Sequence, residues 1–268
     1  RKIKSRIIIT TATKCVDLDE GIKVIGERIN PTGKKKLKEA LINNNMEYIL
    51  REAVTQKEKG ADILDVNVGL PEINESEVIT GVVKEIQSII DLPLQIDSSD
   101  AGAIEAALRI YNGKAIINSV NGKAEIMDTI FKIARKYGAC VVGLTLDENG
   151  IPSSAEERFK IAEKIVNTAE KYGISKENLL IDCLVLTASA QQKEVAETLK
   201  AITMVREKLG VKTVLGVSNV SFGLPNRALL NRTFLTMALH SGLTTPILNP
   251  QSEEMMHIIK AFNVLTNQ

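Results

Sequence analysis

The chain has 268 residues, 44% of them hydrophobic, ample for one large α/β domain or two small ones. Its 34 basic and 33 acidic residues nearly cancel and are spread along the chain, which argues against nucleic-acid binding and against a charged tail. No apolar run approaches the length of a membrane span and no signal peptide stands out, so the expected setting is cytoplasmic, with no membrane partner.

Residues 1–20 do not join the alternation that follows. "RIIIT" (6–10) reads as a strand against the outside or bottom of the domain, and "KCVDLDEG" (14–21) as a connector. This gives an N-terminal linker or extension over 1–20 and a folded domain over 21–268. The start at Arg1 fits a segment of a longer protein, or a processed or shortened chain. Beyond it, short apolar runs alternate with helical patterns. The expected strands are "IKVIG" (22–26), "ADILDVN" (61–67), "LPLQID" (92–97), "KAIINS" (114–119), "CVVGLTL" (140–146), "NLLIDCL" (178–184), "KTVLGVSN" (212–219) and "TPILNP" (245–250). They are continuous rather than alternating, as parallel strands buried on both faces are. Helical stretches over 46–60, 124–138 and 157–173 each end in glycine, a helix stop. Eight strand–helix units in this order predict a (β/α)8 TIM barrel, with a doubly wound sheet as the runner-up. Cys140 opens an apolar run and Cys183 interrupts one, the pattern of buried free thiols in a reducing compartment.

In such barrels the active site forms at the C-terminal strand ends. Those ends carry Asp65 and Asn67, then Asp97, then Asn118, then Asp182, then Ser218 and Asn219. The loop after the first strand is expected to carry Glu27, Arg28 and Asn30. One Asp or Asn after a strand is most often a helix cap, the reading that suits Asp100 and Asn249. Asp97, Asn118, Asp182 and Asn219, however, end apolar runs. Burying each unpaired would cost about 1–3 kcal/mol. Their convergence therefore points to a site.

The two histidines, His240 and His257, fall in helices, and no HxxxH, CxxC, glycine-rich phosphate loop or GxSxG occurs. The reading includes no metal site. Carboxylates and amides without a nucleophile suit a flat, nitrogen-rich heterocycle. A carboxylate accepts two hydrogen bonds from adjacent ring N–H and amino groups, and a carboxamide matches a lactam edge.

The stretches "VIGERINPTGKKKLKEAL" (24–41), "GADILDVNVG" (60–69), "QIDSSD" (95–100), "IINSVNG" (116–122), "YGACVVGLTLDENGIP" (137–152), "LLIDCLVL" (179–186) and "VLGVSNVSFGLPNRALLNRTFL" (214–235) resemble the pterin-binding methyltransferase family, in order from about residue 22 onward. The likeness is strongest to the folate-binding module of cobalamin-dependent methionine synthase. The free-standing methyltetrahydrofolate:corrinoid/iron–sulfur protein methyltransferase is the alternative, and a non-catalytic folate-binding module a lesser one. Dihydropteroate synthase shares the barrel, but has a basic Ser-Arg-Lys type signature where this chain has "VSNVSF". The resemblance implies a dihydropteroate synthase-like barrel that binds 5-methyltetrahydrofolate. Its N5-methyl would pass to the Co(I) of cobalamin or another corrinoid, carried by a partner domain or protein. An adjacent homocysteine-binding domain is implied in a longer chain. It further implies that Asp97, Asn118 and Asp182 hydrogen-bond the pterin and that Asn219 acts near N5. Glu27, Asn30, Asp65 and Asn67 would support the pocket, Arg227 would contact substrate or order its loop, and Arg232 would be structural.

Overall fold

The computed structural model describes residues 6–267. It opens with an antiparallel hairpin of β1 (Ile8–Thr10) and β2 (Cys15–Asp17). Eight parallel strands follow: β3 (Ile25–Ile29), β4 (Ile63–Val66), β5 (Leu94–Asp97), β6 (Ile116–Asn121), β7 (Cys140–Leu144), β8 (Leu179–Asp182), β9 (Lys212–Gly216) and β10 (Thr245–Leu248). β10 pairs with both β9 and β3, so the sheet closes and the doubly wound alternative is excluded.

Helices α1 (Lys35–Ile42) and α2 (Met46–Glu58) join the first two barrel strands. The later crossovers are α3 (Glu75–Ile89), α4 (Ala101–Ile110), α5 (Ala124–Tyr137), α6 (Ala155–Lys171), α7 (Ala188–Met204) and α8 (Arg227–His240), and α9 (Glu253–Thr266) follows β10. Local chemistry sets their ends. Ser154 caps α6, its Oγ accepting from the Glu157 N–H at 3.3 Å and donating to the Glu157 carboxylate at 3.0 Å, and Gly138 stops α5 with φ +67°.

Side-chain alternation along the strands divides the core in two. Outward residues such as Leu64, Ile96, Ile117, Val141 and Ile181 pack against the helices. Inward residues Ile25, Ile63, Ile116, Val142, Leu180 and Val214 fill the barrel together with Ile7, Ile9, Val16 and Leu18 of the hairpin segment. The hairpin therefore plugs the N-terminal end of the barrel. Thr10 anchors it by exchanging backbone hydrogen bonds with Lys114, at 3.0 and 3.1 Å.

Several sequence expectations shift. Residues 14–21, read as a connector, contain β2, whose Val16 faces the barrel interior. The first barrel strand starts at Ile25 rather than Ile22, so Glu27 and Arg28 lie within the strand and not in a loop. Gln56 of α2 explains this register. Its Oε1 accepts from the Arg28 N–H at 3.0 Å through the gap that Gly26 leaves, and a Cβ there would collide with it. β9 ends at Gly216, so Ser218 and Asn219 lie on a tight 3-10 turn over Val217–Ser221 and not on the strand. Cys140 and Cys183 are buried and Cys15 is exposed.

Candidate functional site

With one end plugged, the barrel opens at the other into a cavity of about 760 Å³. Its walls follow from the inner alternation. Two residues beyond Ile25, Ile63, Ile116 and Leu180 come Glu27, Asp65, Asn118 and Asp182, again facing inward. Asp97 follows the inward Gln95 in the same way, and it stands beside Asn118 in register. Asn30, Asn219 and Arg227 complete the expected set around the opening. Asn67 is the one expected residue that does not line the cavity. Its Nδ2 donates to Asp97 Oδ2 at 3.0 Å and its Oδ1 accepts from the Gly69 N–H at 2.9 Å, so it holds Asp97 from outside.

The floor is a carboxyl pair. Asp65 and Asp97 hydrogen-bond each other, and Asp65 also accepts from Gln95 Nε2 at 2.7 Å and from Asn118. Burial, and then the Asp97 charge, raise the Asp65 carboxyl well above the usual range, so it is the member of the pair that takes up a proton more readily and donates to Asp97. Burial raises Asp97 as well, opposed by the Asn67 and Asp65 hydrogen bonds to its ionised form. Opposite them, burial pushes Asp182 up to about 7, opposed by the Leu184 N–H, which it accepts at 2.7 Å.

The turn after β9 presents Asn219. Arg227 shapes it by donating from Nε to Ser221 Oγ at 3.0 Å and from Nη2 to the Ser218 carbonyl at 3.1 Å, with its guanidinium over the Phe222 ring. Arg227 thus orders this loop. Ser218 Oγ donates to Glu27 at 3.1 Å and ties the turn to β3. Gly216 makes room, since a Cβ there would come within 3.0 Å of Asn219 Nδ2. Among the described residues the Asn219 amide has no hydrogen-bond partner. The side chain of Asn30 is committed locally, accepting from the Thr32 N–H at 3.0 Å.

Asp100 is the cap expected of it, accepting from the Gly102 N–H at 2.8 Å. Asn249 lines the cavity and also closes a turn onto the Gln251 N–H at 3.0 Å. Arg232 pairs with Glu254 at 3.1 Å. Both histidines are exposed on α8 and α9.

Three contributors escaped the sequence reading. Gln95 is fully buried beneath the pair and sits two positions before Asp97, a signal that alternation offered. Asn231 reaches the cavity from α8 one turn after Arg227. Lys34, one of a run of lysines, turns inward and donates from Nζ to the Glu27 and Asn30 carbonyls at 3.4 and 3.1 Å.

Residues 26–249 match the family model described as pterin binding enzyme, and the chain belongs to that family. It is 32% identical over 241 residues to methionine synthase of Mycobacterium leprae, covering 85% of this chain and 20% of that protein. It is 30% identical over 249 residues to a methylcorrinoid:tetrahydrofolate methyltransferase of Eubacterium limosum, covering 90% of each. The fold matches the crystal structure of Yersinia pestis dihydropteroate synthase with a TM-score of 0.71 over 98% of this chain and 100% of that one, at 16% identity. This chain spans one-fifth of the methionine synthase it matches. Among the described residues no helix is long and apolar enough to cross a membrane.

Proposed function

We propose that the barrel binds 5-methyltetrahydrofolate in this cavity and passes the N5-methyl to the Co(I) of a corrinoid, as the folate module of a cobalamin-dependent methionine synthase. The observation that carries the reading is a ring of carboxylates and amides at one open barrel mouth, lacking an activated nucleophile. Ionised Asp97 and Asp182 accept the ring N–H and amino hydrogens of the pterin, and the Asn118 carboxamide serves its lactam edge. The nucleophile comes from the partner, and this chain works on the leaving group. As the methyl carbon bonds to the partner's Co(I), the methyl carbon–N5 bond breaks, its electron pair passes to N5, and N5 takes a proton from solvent. Asn219 hydrogen-bonds N5 by turning either its oxygen or its NH2 toward it. An amide does not titrate in the useful range, so its contribution is electrostatic and geometric, and it strengthens as charge shifts in the transition state.

Mixing the chain with methyltetrahydrofolate and a reduced corrinoid-carrying domain should produce methylcobalamin absorbance at an enzyme-dependent rate. Binding of the folate with no methyl transfer to any corrinoid domain would leave a folate-binding module without activity. Absence of binding would overturn the reading.

A second reading has its own support. The Eubacterium limosum relative matches this chain along 90% of both lengths, so a free-standing enzyme working between a methylcorrinoid protein and tetrahydrofolate is the alternative. Supplying a methylated corrinoid protein with tetrahydrofolate separates the two. Faster turnover in that direction, with a separate corrinoid protein as donor, selects the free-standing reading.

A further inference from the structure

Among the described residues, the most heavily hydrogen-bonded charge lies outside the cavity. Arg158 of α6 is completely buried, and its guanidinium serves three segments. Nε donates to the Pro152 carbonyl at 2.8 Å, in the segment leading into α6. Nη1 donates to the Cys183 and Leu184 carbonyls at 3.1 and 2.8 Å and to Thr198 Oγ1 at 2.6 Å. Nη2 pairs with Glu194 of α7 at 3.0 Å. Burying an arginine is costly unless its donors are satisfied, and here they converge on the loop immediately after Asp182.

That loop makes an unusual turn. Leu184 has φ +56°, a left-handed conformation that disfavours a branched side chain. The turn aims the Leu184 N–H back at Asp182 Oδ1, at 2.7 Å. The same residue's carbonyl is held by Arg158 and by Thr198 Oγ1, the latter at 3.0 Å. The chain of contact therefore runs from the guanidinium to the Leu184 peptide to the Asp182 carboxylate.

We infer that Arg158 is the positioning residue for Asp182, fixing the β8–α7 loop so that the carboxylate is presented ionised to the hydrogen-bond donors of the pterin. This rests on the pterin-binding role proposed above for Asp182. The arginine acts by geometry and by charge. Its positive charge lowers the affinity of Asp182 for a proton, against the burial that raises it to about 7. Other charged groups bear on the pair. Glu194 and Glu197 on α7 act on Arg158, and burial keeps the neighbouring Cys183 thiol neutral. Across the cavity stand Glu27, Asp65 and Asp97 with Lys34 and Arg227.

The test is a double-mutant cycle read by methyltetrahydrofolate affinity across pH 5.5–8.5, a range of about 1.5 units either side of neutral chosen to bracket the titration. Arg158→Gln should weaken binding about tenfold at pH 7 and move the midpoint of the affinity–pH curve upward. In an Asp182→Asn background the same change should cost less than about threefold, because the group it acts through is gone. Arg158→Lys keeps the charge without the fork, so it should weaken binding while leaving the midpoint near that of the wild type. Equal losses in both backgrounds, or an unmoved midpoint in Arg158→Gln, would overturn the inference. Should Arg158→Gln not fold, Arg158→Lys in the two Asp182 backgrounds gives the same non-additivity test.

A wild-type chain that binds no folate would defeat the pterin reading without deciding this one. The Asp182 carboxyl can then be followed by carbon-13 NMR in the ligand-free chain. A higher titration midpoint in Arg158→Gln than in wild type supports the link, and identical midpoints overturn it.

Discussion

Asp65 and Asp97 hydrogen-bond each other across adjacent strands β4 and β5, with Gln95 donating to the first at 2.7 Å and Asn67 donating to the second at 3.0 Å. Gln95 stands opposite Asp65 in register, and the same register carries Asn67 opposite Asp97, so the pair is braced from both sides. The arrangement gives two chemically identical side chains different work. Asp65 is the buried member that takes up a proton more readily, and Asp97 is the acceptor that faces the cavity.

Asparagine imitates a protonated aspartic acid. In Asp65→Asn the amide oxygen still accepts from Gln95 and the NH2 still donates to Asp97, so methyltetrahydrofolate affinity by calorimetry at pH 7 should stay within about threefold of wild type. Asp97→Asn removes the charge proposed to accept from the pterin, and binding should weaken by about tenfold to a hundredfold. The reverse order, with Asp65→Asn costly and Asp97→Asn tolerated, would place the proton on the other partner.

Asn219 is expected to matter to the reaction more than to binding. Asn219→Ala should lower the methyl-transfer rate by about 10²–10³-fold, the usual effect of deleting one preorganised polar group at a charging atom. The dissociation constant for the folate should change only a few-fold. Single-turnover kinetics with the corrinoid domain, beside calorimetry, would separate the two. An unchanged transfer rate would remove Asn219 from the mechanism.

Much of this is legible because period-two alternation runs along the barrel strands as far as the site, breaking only beyond it in β3 and β6. Ile63–Asp65, Ile116–Asn118 and Leu180–Asp182 each place a polar side chain two residues beyond an inward apolar one, at the open end. The first strand was misplaced because "IKVIG" is apolar, whereas the true strand admits Glu27 and Arg28, made tolerable by Ser218 on one and by Gln56 and Glu52 on the other. The apolar pattern carries the expected strand on through Asn219, because Val217 and Val220 are buried in what is a 3-10 turn. Arg158 was invisible. On an amphipathic helix an arginine reads as solvent-facing, and only the loop wrapped around it from β8 reveals otherwise.

Gly26 ties the helical layer to the site. Gly26→Ala should displace the Gln56 side-chain carbonyl from the Arg28 N–H, leaving a part-buried donor unpaired and overpacking the β3–α2 contact. The expected destabilisation is about 1–3 kcal/mol, measured by urea unfolding. Folate affinity should fall with it, because Glu27 lies between the two affected residues and holds the Asn219 turn through Ser218. Wild-type stability in this variant would show that α2 can withdraw without cost.

Asp182 should make the ligand-free protein less stable at neutral pH than it is with asparagine there. Its carboxyl is buried and its folded value is raised to about 7, above the unfolded value of about 3.9. A group raised in the folded state contributes stability that is fully present below the unfolded value and is lost as pH rises through the folded one. Asp182→Asn keeps the acceptor for the Leu184 N–H but cannot ionise. The two proteins should therefore be about equally stable near pH 4, and the variant should gain progressively, reaching on the order of 2–4 kcal/mol by about pH 8. Thermal or denaturant unfolding of both chains over that range reads the difference directly. Bound methyltetrahydrofolate should reverse the order, because its ring donors stabilise the ionised carboxylate that only the wild type can supply. A stability difference that is flat with pH would mean that the Asp182 carboxyl titrates in its ordinary range and that burial does not govern it.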